Sequence, residues 1–188
     1  MARDLIVTEN ITVDSVIDME GGWFVPAGAE DSDDVADMRA VEERLRATAD
    51  ALLVGRVTFE AFRGYWPLQD DDQTGIRDYL NRVDKYVVSS TLTDPAWQGT
   101  TILRGDVVDE VTALKNRAGG DVVATGSIRL VHALNRTALV DEYRLFVYPT
   151  VMGKGRRLFE EPVSEPHLTL VEAQSFGSGV VLLRYRTH

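Results

Sequence analysis

The sequence predicts an α/β fold in which short buried strands alternate with amphipathic helices. Three observations predict it. The first is the stretch Asp121–Phe159, where Val122-Val123-Ala124 turns at Thr125-Gly126-Ser127 and Ile128, Val131 and Leu134 follow at helical spacing. A second apolar run, Tyr143–Tyr148, is interrupted only by Arg144 and ends at Pro149, as a buried central strand does. Together these make a right-handed βαβ unit. The second observation is another strand–glycine–helix junction at Ala51–Thr58. The third is the tail, where Leu168–Phe176 and Val180–Arg186 flank Gly177-Ser178-Gly179 as a β-hairpin.

Taken in order, Leu5–Val13 is rich in Ile, Val and Thr and reads as a strand, with Glu9 and Asn10 marking a bulge or an edge. Val16–Glu20 leads into the loop Gly22–Gly28, where Trp23 and Phe24 either cap the core or face a ligand. Asp31-Ser32-Asp33-Asp34 offers caps and first-turn carboxylates to a helix striped by Val35, Met38, Val41, Leu45 and Ala49. Asp33, Asp34, Asp37, Glu42 and Glu43 read as a solvated face of that helix, or as including a catalytic acid. Ala51–Val54 is a buried strand ending at Gly55-Arg56-Val57-Thr58, and Phe59, Phe62 and Trp66 continue as a helix. Pro67–Thr74 is a polar loop, Ile76–Val83 a short helix, and Lys85–Val88 a strand that ends at Ser89-Ser90-Thr91. After the Asp94-Pro95 turn, Ile102-Leu103 is a brief strand. Asp106 and Asp109 then form a capping box for a helix striped by Val108, Val111, Leu114 and Ala118 and stopped by Gly119-Gly120. Met152–Phe159 is a glycine-punctuated basic turn that either binds an anion or anchors a hairpin through Leu158 and Phe159. Glu160–His167 is a proline-bearing connection. With no repeat and no linker, residues 1–188 read as one domain.

Lys plus Arg number 20 and Asp plus Glu 30, a net charge of −10 over 188 residues. That balance argues against nonspecific nucleic-acid or anionic-membrane binding, which relies on basic surface. It leaves room for an anionic small ligand held by a few placed arginines. Without cysteine there are no disulfides, no thiolate catalysis and no thiolate metal sites. His132, His167 and His188 lack metal-ligand spacing, so no metal is expected. No apolar run approaches the ~20 residues of a membrane span, and the N-terminus lacks a signal-peptide core, so the expected location is the cytoplasm.

A Gly-x-Ser-x-Gly elbow, a Walker lysine loop and the Rossmann glycine fingerprint are all absent. What remains is three strand ends: Gly55-Arg56-Val57-Thr58, Ser89-Ser90-Thr91 and Thr125-Gly126-Ser127-Ile128-Arg129. Singly, each has a plain explanation in turn geometry or surface charge. Ligands of open α/β sheets, however, bind beyond the carboxyl ends of parallel strands. If these strands are parallel, their ends meet on one crevice edge, with two helix N-termini and nearby arginines. That arrangement fits a phosphorylated dinucleotide.

Several stretches carry a family likeness. They are Ala51–Glu60, Trp66-Pro67, Lys85–Leu92, Gly126-Ser127, Leu130-Val131, Leu139–Leu145 and Pro149 through Phe159. On them the chain resembles, nearly end to end, the dihydrofolate-reductase-like superfamily, particularly its riboflavin-biosynthesis reductase (RibD C-terminal) branch. Leu139-Val140-Asp141-Glu142 together with Gly153-Lys154-Gly155-Arg156-Arg157-Leu158-Phe159 is the most specific part. The resemblance implies a three-layer α/β/α fold, with a mixed, mostly parallel sheet and an antiparallel C-terminal hairpin. It implies NADPH as hydride donor. Carried over by position, Gly55, Arg56 and Thr58 hold the pyrophosphate and adenosine side. Ser89, Ser90 and Thr91 lie near the 2′-phosphate, and Gly126, Ser127, Ile128, Arg129 and Leu130 cradle the pyrophosphate. Thr125 stands where dihydrofolate reductases carry the first glycine of a pair. On the substrate side the candidates are Asp14 and Trp23, because Val13-Asp14-Ser15 keeps the acid of the branch's Leu-Asp-Gly and loses its glycine. The implied activity is NADPH-dependent reduction of a small, heterocyclic substrate. The alternatives are a nucleotide-binding protein of the same fold without turnover, and a homodimer paired through the C-terminal hairpin.

Overall fold

The computed structural model describes residues 2–24, 33–160, 163 and 167–188, and for 33–35 the backbone alone. The cap candidates Asp31 and Ser32, part of the Gly22–Gly28 loop and most of the Glu160–His167 connection lie outside the described residues. Along the chain come β1 (Leu5–Thr12), α1 (Asp33–Arg46), β2 (Ala49–Gly55), α2 (Arg56–Tyr65), α3 (Ile76–Arg82), β3 (Asp84–Val88) and β4 (Thr100–Leu103). They are followed by α4 (Val107–Lys115), β5 (Asp121–Ala124), α5 (Ile128–Asn135), β6 (Glu142–Tyr148), β7 (Thr169–Ser175) and β8 (Val181–Arg186).

The eight strands of the described residues join one sheet in the order β4-β3-β2-β5-β1-β6-β8-β7. From β4 to β6 every neighbouring pair is parallel, and β8 runs antiparallel to both β6 and β7. This is the mixed, mostly parallel sheet with an antiparallel C-terminal hairpin that the family resemblance implies. Strand alternation sorts the core into two layers. Leu53, Ala124, Val7 and Tyr143 stand in register across β2, β5, β1 and β6. They share one apolar cluster with Val111 and Leu114 of α4 and Val131 and Leu134 of α5. On the other face, Leu52 and Val54 pack with Phe59 of α2 and Leu80 of α3, while Phe146 and Leu182 pack with Met38, Val41 and Leu45 of α1.

Three local expectations change. β1 is neither bulged nor an edge: it lies inside the sheet and keeps unbroken register with β6 from Ile6 to Thr12. Its polar residues are tolerated because β5 pairs with β1 only from Leu5 to Val7. Past that point the Gly126 N–H donates to the Glu9 carboxyl at 2.9 Å, so the buried carboxyl has a partner. The stripe expected to reach Ala49 stops at Arg46. There the Thr48 hydroxyl donates to the Leu45 carbonyl at 3.1 Å, and Ala49 opens β2. Asp106 does cap α4, accepting from the N–H groups of Val108 and Asp109. The reciprocal bond comes from Glu110, whose carboxylate takes the Gly105 N–H at 2.9 Å, and not from Asp109.

Candidate functional site

Beyond the carboxyl ends of β2, β3, β4 and β5 lies a cleft of about 690 Å³. Gly55, Arg56 and Thr58, then Ser89, Ser90 and Thr91, then Gly126 to Leu130 all line it, so the three predicted strand ends meet along one cleft. Two contributors come from elsewhere: Arg104 and Gly105 at the end of β4, and Arg156 from the basic turn. Thr125 alone of the predicted cofactor residues does not line this cleft and borders only a neighbouring cavity. It follows Ala124, which faces the α4–α5 layer, and alternation turns Thr125 the other way.

Both α2 and α5 begin at this cleft, with no side-chain cap and no acid in the first turn. The start of α4 differs, being capped by Asp106 and carrying Asp109 and Glu110. The amide groups and positive dipole ends of α2 and α5 are therefore left for an anion. Two hydroxyls fasten these helix starts together. Ser127 Oγ accepts the Gly55 N–H at 2.9 Å, and Thr58 Oγ1 donates to the Gly126 carbonyl at 3.0 Å. Ser89 shapes its own loop by accepting the N–H groups of Thr91 (3.2 Å) and Leu92 (2.9 Å). Arg104 braces that loop from β4 by donating to the carbonyls of Ser90 (3.2 Å) and Leu92 (2.6 Å). Among the described residues the lining holds Arg56, Arg104, Arg129 and Arg156 and no carboxylate, in a chain of net charge −10. Arg56 is shared with Glu60 at 2.8 Å and Arg156 with Asp18 at 2.7 Å.

A second cavity, of about 550 Å³, adjoins the first, and Val57, Thr58 and Gly126 line both. It lies on the α1–α2–α3 face, walled by Leu52, Phe62, Trp66, Leu80, Phe146 and Tyr148. Its polar lining includes Glu42, Arg46, Tyr79 and Arg144. Burial raises the pKa of Glu42 despite Arg46 at 3.7 Å, and pushes the Tyr79 phenol up to about 12. Glu9 lies at the seam, beneath the Gly126 turn. Burial pushes its carboxyl from the ordinary 4.5 to about 8, against the opposing pull of the Gly126 N–H. Sequence reasoning missed Glu9 as a site residue. The signal was a lone acid inside an apolar strand, which reads equally well as a bulge.

Asp14 and Trp23 border neither cavity. The Asp14 carboxylate accepts the Thr12 hydroxyl (2.7 Å) and the N–H groups of Met152 (3.1 Å) and Gly153 (2.7 Å). These bonds hold its pKa down at about 2, so it staples the loop after β1 to the basic turn and stays ionised. The same staple explains the glycines opposite. Gly155 has φ +108°, and a Cβ there would sit 2.8 Å from Val16 Cγ1. Ser15, at the position where the branch carries glycine, holds φ +69°, so the left-handed turn survives the substitution. In the basic turn Leu158 is fully buried, as an anchor is, but Phe159 is 40% exposed, and Arg156 lines the cleft. The Trp23 indole donates to the Asp18 carbonyl at 2.7 Å. Its ring meets Phe24 at 5.9 Å and Tyr148 at 5.6 Å, so it backs residues that do line the second cavity. Among the described residues no cluster of His, Cys, Asp and Glu is suited to a metal, and no helix is long and apolar enough to cross a membrane.

Comparison with known proteins agrees with this architecture. A family model described as the RibD C-terminal domain matches residues 3–182. The uncharacterised protein YyaP of Bacillus subtilis (strain 168) is 32% identical over 138 residues, which cover 72% of this chain and 73% of that protein. A putative riboflavin biosynthesis protein from Shewanella sp. PV-4 superposes with a TM-score of 0.74 at 20% identity, over 100% of this chain and 99% of that one. Dihydrofolate reductase from Enterococcus faecalis, solved in complex with NADP(H), superposes with a TM-score of 0.63 at 18% identity, over 100% and 99%.

Proposed function

The chain belongs to the RibD C-terminal domain family, and we propose that it is an NADPH-dependent reductase of a small heterocyclic substrate. One observation carries the reading: a cleft lined by four arginines and two open helix N-termini shares a border with an aromatic-walled cavity at Val57, Thr58 and Gly126. The residues fit a phosphorylated dinucleotide. The Gly126–Leu130 turn, through the N–H groups of 127–130, and the α2 start suit the pyrophosphate, with Gly55, Arg56 and Thr58 on the adenosine side. Ser89, Ser90 and Thr91, backed by Arg104, suit the 2′-phosphate. Bound there, NADPH supplies a hydride. The chain orients the cofactor through the fastened helix starts, and the aromatic walls hold the substrate and keep water out.

Calorimetry with NADPH, followed by NADPH oxidation against pterins, ribityl pyrimidines, quinones and nitroaromatics, tests the reading. We expect binding at micromolar to millimolar levels and turnover of at least one compound class. No NADPH binding would overturn it. Tight binding with no turnover on any compound would favour a nucleotide-binding protein of the same fold. Edge strand β7, where Leu170 and Val171 are exposed, suggests a homodimer paired edge to edge.

A further inference from the structure

We propose that the second cavity takes an uncharged, planar molecule and turns away phosphorylated or otherwise anionic ones. This rests on the reductase reading above and narrows its substrate class. The two cavities differ in charge. The first has four arginines and, among the described residues, no carboxylate. The second has Glu42 in its lining beside Glu9, which burial keeps protonated up to about pH 8, and both of its arginines are committed. Arg46 donates to the Thr74 carbonyl at 2.9 Å and lies 3.7 Å from Glu42. Arg144 is buried. It donates to Glu142 at 2.7 Å and to the Leu45 carbonyl at 3.0 Å, and lies 3.7 Å from Asp121. A phosphate or sulfonate entering here would give up its hydration and gain no unengaged cation.

Two further features describe what the cavity does accept. Tyr79 is 7% exposed, and its hydroxyl has no hydrogen-bond partner among the described residues. An unsatisfied buried hydroxyl is unfavourable. The hydroxyl is itself closed to solvent, so a ring carbonyl or ring nitrogen of a ligand would satisfy it only after the neighbouring side chains shift, and the phenol stays neutral because its pKa is about 12. Phe62, Trp66, Phe146 and Tyr148 supply flat apolar walls, which match the faces of a planar ring. The volume of about 550 Å³ suits a small fused-ring compound. Phosphate is therefore recognised in the first cleft and a neutral ring system in the second.

The test uses a matched pair of probes, 1,4-naphthoquinone and 1,4-naphthoquinone-2-sulfonate. The chain has no cysteine for the quinone to alkylate. Binding of each to the full-length protein is measured by calorimetry with and without saturating NADPH, independently of NADPH oxidation. The neutral quinone is expected to bind at least about tenfold more tightly than the sulfonate. Tyr79→Phe should weaken the neutral quinone by about fivefold through loss of one hydrogen bond. Glu42→Gln, which removes the charge beside Arg46, should shrink the preference against the sulfonate. Equal or tighter binding of the sulfonate overturns the proposal, and so does failure of both probes on protein that binds NADPH. Selective binding of the neutral quinone by protein that oxidises NADPH with no compound of the panel would instead sink the reductase reading and leave the cavity's selectivity standing.

Discussion

Glu9 shows how a single side chain acquires its properties from its surroundings. Although Thr8 and Asn10 flank it in β1, Glu9 is 2% exposed, and one backbone N–H, from Gly126, meets its carboxyl. Burial therefore wins over hydrogen bonding, and the folded protein holds the proton up to about pH 8, while the unfolded chain releases it near 4.5. Below both values the two states carry the same proton and Glu9 costs nothing. As pH rises between them the unfolded state is favoured, so stability falls until the folded carboxyl also ionises near pH 8. Glu9→Gln keeps an acceptor for the Gly126 N–H and removes the charge. At pH 8 the variant should be more stable by on the order of 2 kcal/mol, or about 4–8 °C in Tm, and the gain should vanish below about pH 4.5. Asp18 and Glu142, whose pKa values are lowered, act with the opposite sign at acid pH, but they are common to both proteins and cancel in the difference. Parallel Tm–pH curves for the two proteins would refute the account.

Elements are held at their ends as much as along their faces. The α3 helix ends beside β3, where Lys85 is fully buried. Its ammonium donates to the carbonyls of Leu80 (2.7 Å) and Val83 (2.9 Å) and lies 4.8 Å from the centre of the Trp97 ring. A strand residue thus closes a helix. Lys85→Met keeps much of the apolar stem but strands two buried carbonyls, and should cost about 3 kcal/mol in urea unfolding. A loss below half of that would mean the carbonyls find other donors. The elements themselves were legible: apolar periodicity marked β2, α4, β5, α5 and β6, and turn chemistry marked the C-terminal hairpin. The role of Lys85 was not legible, because in sequence it is one residue of an otherwise apolar strand. The carbonyls it serves come near only through the packing of α3 on the sheet.

At the scale of the molecule, a net charge of −10 surrounds a cleft whose lining is cationic. Such an arrangement concentrates attraction for an anion in one place. NADPH affinity should therefore fall with added salt, since partly exposed charges are screened within about 10 Å at 0.1 M. Arg104→Ala should weaken NADPH by roughly tenfold while costing NADH little, because a 2′-phosphate loses a charged partner. Calorimetry with both nucleotides at two ionic strengths measures this, and equal losses for NADPH and NADH would remove Arg104 from phosphate recognition.

Local pattern alone determined which stretches are strands and helices, that glycine-bearing turns join them, and that several turns share the chemistry of anion binding. These follow from side-chain periodicity and backbone preference over a few residues. Tertiary structure alone decided which of the α1 acids faces a cavity, that Asp14 staples two loops, and that Glu9 sits under the Gly126 turn. Each of these depends on a neighbour far away in the chain. Those neighbours are set by the strand order β2-β5-β1-β6, which brings α1, α3 and β6 around one cavity and which no short window of residues encodes.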